Sequence, residues 1–198
     1  VFLTSGARSR LRFATVNVRS VRVEVKRVFE NNLGQFLQTE RLSSLQGRRE
    51  EFRASFVNRV GVVVAEEELE IGEQANVWLE HELDISRLIG SRQRDLYLVS
   101  LSFEREDMIY PLGTQARWYR GDEYYQNPNS HGYMRANGRA FKPILISDIG
   151  LTLKMAADRT FLFAADLTSA EPMPGVAVTL RSFQNQDLAS GTTGSNGM

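Results

Sequence analysis

The 198-residue chain balances 24 Lys+Arg against 24 Asp+Glu, so it lacks the overall basicity by which proteins hold nucleic acid. With 42% hydrophobic and 24% charged residues its composition is that of an ordinary globular protein with one large or two small domains. No apolar run approaches the roughly 20 residues of a membrane-spanning helix, and the lack of cysteine excludes disulfides, zinc–thiolate sites and thiol nucleophiles within this stretch.

Period-two alternation, which sends successive side chains to opposite faces of a strand, dominates the chain. Val16 and Val18 share one parity and Val21, Val23 and Val25 the other, so the phase breaks near Arg19-Ser20, as a bulge or corner requires. In FENNLGQFLQ, Leu33, Phe36 and Leu37 fall at i, i+3 and i+4, which predicts a short helix near 31–38 with Asn31 or Asn32 as its cap. The charged segment 40–57 fits either a helix or an excursion. Strand-like runs follow at 60–70, 75–85 and 95–104, and ISRLIG at 85–90 reads as one helical turn ending on a left-handed Gly90. Between 105 and 142 the periodicity gives way to a long loop, a kind of segment that is usually functional or mobile. After Lys142-Pro143 come further strand-like runs at 143–154, 159–167, 175–183 and 187–191.

These elements predict an all-β fold of antiparallel immunoglobulin-like sandwich domains. One domain is expected over 1–144, carrying the long aromatic loop near 105–142, and a second begins at 145. Four strands in about 54 residues fall short of the seven or so of a complete sandwich, so 145–198 reads as the N-terminal part of a truncated domain. Such a piece leaves an apolar face open to self-association.

Chemistry-bearing residues are sparse. His81 and His131 stand apart from any spaced His, Cys or carboxylate, and His81 alternates with Val77, Leu79 and Leu83 as a member of a strand face. GTTGSNG at 191–197 lacks the following helix of a phosphate loop and reads as a flexible turn. Glu66, Glu67 and Glu68 read as a solvated or protected strand edge rather than a calcium site. No nucleophile elbow, catalytic triad or metalloprotease motif is present, so no enzyme, catalytic residue, cofactor or metal is expected. The one concentration of interest is Trp118, Tyr119, Tyr124, Tyr125 and Tyr133, interleaved with Arg117, Arg120, Asp122 and Arg135. Amphipathic rings beside arginines suit protein interfaces and sugar-stacking surfaces, and they equally suit a loop pinned onto its own domain.

In order and spacing, TVNVRSVRVEVKRVFENNLGQFLQ, then DLYLVSLSFEREDMIY, then ILISDIGLTLK…FLFAADLTSAEPMPGVAVTLRSFQNQDLASGTT resemble the bacterial alpha-2-macroglobulin family. The resemblance covers nearly the whole chain, with 40–57 and 111–140 matching least. It implies macroglobulin-like β-sandwiches, an early domain, the third, followed by the first half of the next. It also implies a large extracytoplasmic parent, periplasmic or extracellular and in many members lipid-anchored, that traps proteinases. The partners it implies are the other domains of the parent chain and, for the full-length protein, target proteinases. The family's bait segment and thioester have no counterpart in this stretch. Some relatives bracket the aromatic loop with a cysteine pair, whereas here the comparable positions read Pro111 and Pro128-Asn129. The function implied is that of structural scaffold domains. The alternative is an extracellular adhesin or a carbohydrate- or peptidoglycan-binding module that uses the aromatic loop.

Overall fold

The structure, a computed structural model, describes residues 2–4, 10–39, 59, 61–90, 94–110, 112–113 and 115–198. In chain order the elements begin with β1 (Phe2–Leu3), β2 (Arg10–Val16), β3 (Ser20–Val28), a 3-10 turn at Glu30–Asn32, α1 (Leu33–Thr39), β4 (Gly61–Glu70), β5 (Trp78–Asp84) and α2 (Ile85–Ile89). They continue with β6 (Leu96–Ser102), a 3-10 turn at Arg105–Asp107, α3 (Glu123–Gln126), α4 (His131–Asn137) and β7 (Arg139–Ile146). The last four strands are β8 (Ile149–Met155), β9 (Thr160–Asp166), β10 (Ala177–Arg181) and β11 (Asp187–Thr192). The fold is all-β, with short helices, in antiparallel β-sandwich form.

One layer of the sandwich is a five-stranded sheet in the order β1-β7-β6-β3-β4, antiparallel throughout except for the short parallel pair β1–β7. Facing it is the antiparallel pair β2–β5. The phase break near Arg19-Ser20 is the corner between these layers, since β2 belongs to one and β3 to the other. Asn17 turns the corner at φ 56°. Asparagine tolerates that left-handed conformation, and here its buried amide donates to Tyr110 Oη at 2.6 Å and Asn76 Oδ1 at 3.1 Å.

Alternation along β3 now has a physical meaning on both faces. Val23 and Val25 point inward with Tyr97, Val99, Ile144 and Ile146 against Leu83 and Ile85, and Leu11 and Phe13 of β2 pack on this cluster. Val28, Leu96 and Leu98 lie on the opposite face, covered by Leu33 and Phe36 of α1. Each buried valine contributes roughly 1.5–3 kcal/mol relative to exposure. The helix predicted near 31–38 is thus present as Leu33–Thr39, and the chain enters it through the 3-10 turn Glu30–Asn32 behind Phe29, so that Asn32 directly precedes it. Helix α2 follows the predicted ISRLIG turn. Asp84 caps it by accepting from the Arg87 amide at 3.1 Å, and Gly90 takes φ 68° with ψ −153°, outside the left-handed helical region.

Two expectations are corrected. The run 143–154 is not one strand, because Leu145 still pairs with Leu96 in β7 and the chain breaks at Ser147-Asp148 before β8. A boundary after residue 144 therefore falls inside β7. Nor is 105–142 structureless, since it holds the 3-10 turn at Arg105–Asp107, α3, α4 and the start of β7. The segment 40–57 lies outside the described residues.

Glu66 and Glu68 are exposed on β4, the edge strand of the sheet, while Glu67 points inward and pairs with Arg87. His81 sits on the inner face of β5, with its Nε2 2.9 Å from Thr15 Oγ1 and its ring 4.9 Å from Phe13. On the outer face Glu82 accepts from both Arg10 Nη1 at 2.8 Å and Arg12 Nε at 3.1 Å. These two guanidinium bonds, Arg10 first, hold the Glu82 carboxyl below its ordinary value of 4.5. A depressed carboxylate stabilises the fold fully above its unfolded value and loses that contribution as pH falls through the folded one. The β2–β5 pair should accordingly weaken as pH falls below 4.5, and less so at high salt, where screening reduces what these exposed groups contribute. The check is the melting temperature against pH for the wild type and Glu82→Gln. Curves that converge in acid fit this account, and parallel curves oppose it.

The last four strands form two hairpin pairs, β8–β9 and β10–β11. They are joined where Met173 N donates to Ala164 O at 2.9 Å and Thr193 Oγ1 donates to Met173 O at 2.6 Å. The glycine-rich segment after β11 folds back onto β9, with Ala164 N donating to Gly197 O at 2.8 Å. Phe163, Val176 and Val178 are half-buried, whereas Phe161, Leu180, Leu151, Leu153 and Met155 are exposed.

Candidate functional site

The aromatic segment is built on side chains that bond to backbone. Arg105, at the head of its 3-10 turn, donates to Pro128 O at 3.0 Å, Gly113 O at 2.9 Å and Asn129 Oδ1 at 3.1 Å. Asn129 Oδ1 also accepts the Gly113 amide at 2.9 Å. Two strands of loop are bridged side by side, Arg117 N donating to Asn129 O at 2.7 Å and His131 N to Arg117 O at 3.2 Å. Arg105 and Asn129 thus tie together, by hydrogen bonds, the stretch around Gly113 and the stretch around Pro128-Asn129; Pro111 itself lies outside the described residues.

Ser130 is the pivot. It caps α4 by accepting from Gly132 N at 3.2 Å and donates its own hydroxyl to Tyr124 O at 2.6 Å, which locks α3 against α4. Asn137 closes the far end, donating to Tyr125 O at 2.8 Å and Tyr133 O at 3.0 Å.

On this frame the rings assemble. Trp118 stacks on Tyr124 with centroids 5.6 Å apart and planes 11° from parallel, and Tyr124 meets Tyr125 edge-on at 4.9 Å. His131, which stands alone in sequence, lies 5.0 Å from the Trp118 ring. Tyr119 and Tyr133 take no part in these ring contacts among the described residues. Burial, and then the neighbouring Tyr110, push the Tyr133 phenol above its ordinary value. Trp118 remains 77% exposed, flanked by the exposed Arg117 and Arg120, which form no ion pair among the described residues. The arrangement is an aromatic surface with cations at its rim. Its bonding residues, Arg105, Asn129 and Ser130, were not singled out from sequence. Ser130 was the one with a readable signal, a serine placed where a capping residue precedes a helix.

Among the described residues no group of three or more His, Cys, Asp or Glu could hold a metal ion, and no helix is long and apolar enough to cross a membrane. Residues 146–198, which begin at the last residue of β7, match the family model of the bacterial alpha-2-macroglobulin MG3 domain. The chain resembles the bacterial alpha-2-macroglobulins. Its fold is similar to native alpha-2-macroglobulin from Escherichia coli spanning domains NIE-MG1, with TM-score 0.58 and 17% identity over 94% of this chain and 74% of that one. It is also similar to the same protein spanning domains MG0-NIE-MG1, with TM-score 0.57 and 20% identity over 98% of this chain and 54% of that one. A third likeness is to trypsin-activated alpha-2-macroglobulin from Escherichia coli, with TM-score 0.58 and 15% identity over 98% of this chain and 12% of that one. The chain thus spans about half of the MG0-NIE-MG1 structure and about an eighth of the trypsin-activated one. At these identities the structural likeness speaks to the fold. No curated protein matches. The MG3 match lies on the β8–β11 region, so the ordinal third attaches to the second part of the chain and not, as the resemblance implied, to the first.

Proposed function

We propose that the chain supplies structural scaffold domains to a large bacterial alpha-2-macroglobulin-like proteinase trap. In this reading a first macroglobulin-like sandwich ends at Ile146, two residues beyond the boundary the sequence suggests. The β8–β11 hairpins open a second, whose remaining strands belong to the same parent chain. The observation that carries the reading is the MG3 match over 146–198, which starts where the five-stranded sheet stops. The exposed Leu151, Leu153, Met155 and Phe161 support it, because two-stranded pairs are marginal alone and further strands would cover them. The Trp118 surface then serves contacts with neighbouring domains, and the parent works outside the cytoplasm, held to a membrane by a lipid where it is anchored at all.

A trap encloses its proteinase, so large substrates lose access while small ones do not. The test is to incubate the full-length parent with trypsin and follow hydrolysis of a folded protein substrate beside that of a chromogenic peptide. Protein hydrolysis should fall and peptide hydrolysis persist, with neither changed by residues 1–198 alone. Equal hydrolysis of both substrates with and without the parent would overturn the reading.

A further inference from the structure

The passage from the five-stranded sheet to the β8–β11 hairpins has almost no slack. Only Ser147 and Asp148 separate β7 from β8, and both are held. Ser147 N donates to Leu3 O at 3.0 Å, and Asp148 O accepts from Leu167 N at 2.8 Å. The nearly buried Asp148 carboxylate receives both Nε at 2.9 Å and Nη2 at 2.8 Å from Arg94, two residues before β6. This is one tie point between the sheet and the hairpins.

A second lies at the far end of β10–β11. The turn after β10 is closed by Asn185 N donating to Ser182 O at 2.9 Å and Ser182 N to Gln186 O at 2.8 Å. It carries Asn185, at φ 63°, onto the first turn of α1. A Cβ on Gly34 would stand 2.6 Å from Asn185 Oδ1 and 3.2 Å from its Cγ, so the two residues touch only because position 34 lacks one. Glycine is otherwise a poor choice there, inside a helical run that starts at Glu30, and such an internal glycine has a packing reason more often than a local one. Beside this contact lies a cleft of about 840 Å³, lined by Asn185 itself, with Arg27 and Phe29 on the sheet side and Arg181 and Asp187 on the hairpin side. Of its charges, Arg27 pairs with Asp95 and Arg181 with Asp187 at 2.7 Å, each within its own side. Closure of the cleft therefore does not depend on those pairs and falls to the turn.

We infer that Gly34 and Asn185 form a latch which, with the Arg94–Asp148 clamp, fixes the angle between the five-stranded sheet and the β8–β11 hairpins. One tie alone leaves a hinge at Ser147-Asp148, and two ties make a rigid arm. An alanine at 34 could be met by a rotation of the Asn185 amide. A leucine extends through the contact and forces the turn away, while it favours the helix itself.

The chain has no cysteine, so two introduced ones give clean labels. With Glu68→Cys and Thr179→Cys carrying spin labels, double electron–electron resonance should show one narrow distance distribution. Gly34→Leu should replace it with a broad one while far-UV circular dichroism stays unchanged. Should Gly34→Leu fail to fold, Asn185→Gly removes the other half of the latch without touching α1 and should broaden the distribution in the same way. A broad distribution in the otherwise unmodified labelled chain, or a narrow unchanged one in the folded variant, overturns the latch.

Discussion

Val23→Asp should leave the first sandwich unfolded, or so weakened that it melts below physiological temperature. Val23 is 0% exposed at the centre of β3, paired on one side to Glu67 of β4 and on the other to Leu101 of β6. Its side chain enters the cluster of Val25, Tyr97, Val99, Leu83 and Ile144, and its cross-strand neighbour Glu67 is itself a carboxylate that already engages Arg87. The substitution forfeits roughly 1.5–3 kcal/mol of apolar burial. It also adds a carboxyl that must stay protonated or be buried as an unpaired charge, at a further cost of about several kcal/mol. Against a total stability of about 5–15 kcal/mol the sum is decisive. The measurement is a urea melt beside that of Val62→Asp, placed on the edge strand where the valine is 44% exposed. Val62→Asp should shift the midpoint little. A soluble Val23→Asp protein with an unchanged midpoint would mean that β3 does not bury this face.

That face was legible in the sequence because period-two alternation reports which residues share a side, and Val21, Val23 and Val25 do. What alternation does not report is the partner. The pairing of β2 with β5 joins Phe13 to His81 across the intervening β3, α1 and β4. Their shared inward face emerges only once both have left the five-stranded sheet. The break at Arg19-Ser20 announced a corner without saying that two layers meet there.

The misreading of 105–142 has a different origin. Order in this segment comes from Arg105, Asn127, Asn129, Ser130 and Asn137, whose side chains bond to backbone groups at irregular sequence distances. Helices of 4 and 7 residues, α3 and α4, are too short to display a 3.6-residue period. The aromatic residues were found by their density. Which of them stack was decided by Ser130 and Gly132, residues that composition does not flag. The same limit hid the latch, since nothing in the local sequence sets Asn185 beside Gly34.

Gly132 supplies the second large effect. It is buried in α4, one residue past His131, and a Cβ there would clash with Cδ1, Cε1 and the carbonyl oxygen of Tyr124 alike. The case differs from Gly34 in kind. The tip of an asparagine can turn aside, whereas a backbone carbonyl that also accepts the Ser130 hydroxyl at 2.6 Å moves only if α3 moves. Alanine is favoured over glycine in a helix by about 1 kcal/mol, so propensity alone predicts that Gly132→Ala stabilises the protein. Overpacking of this kind costs about 1–3 kcal/mol, and loss of the Ser130–Tyr124 bond adds about 1 kcal/mol, so the clash should win. As α3 is pushed off α4, Tyr124 leaves the Trp118 ring and the edge contact with Tyr125 goes with it. The chain has two tryptophans, and the Trp118–Tyr124 stack is the tryptophan–tyrosine contact among the described ring pairs. Near-UV circular dichroism should therefore lose amplitude while the far-UV sheet signal holds, and the melting temperature should fall by about 2–4 °C for each kcal/mol lost. An alanine variant that melts higher with its near-UV spectrum intact would show that α3 and α4 are not in contact at Gly132, and the frame under Trp118 would have to be drawn again.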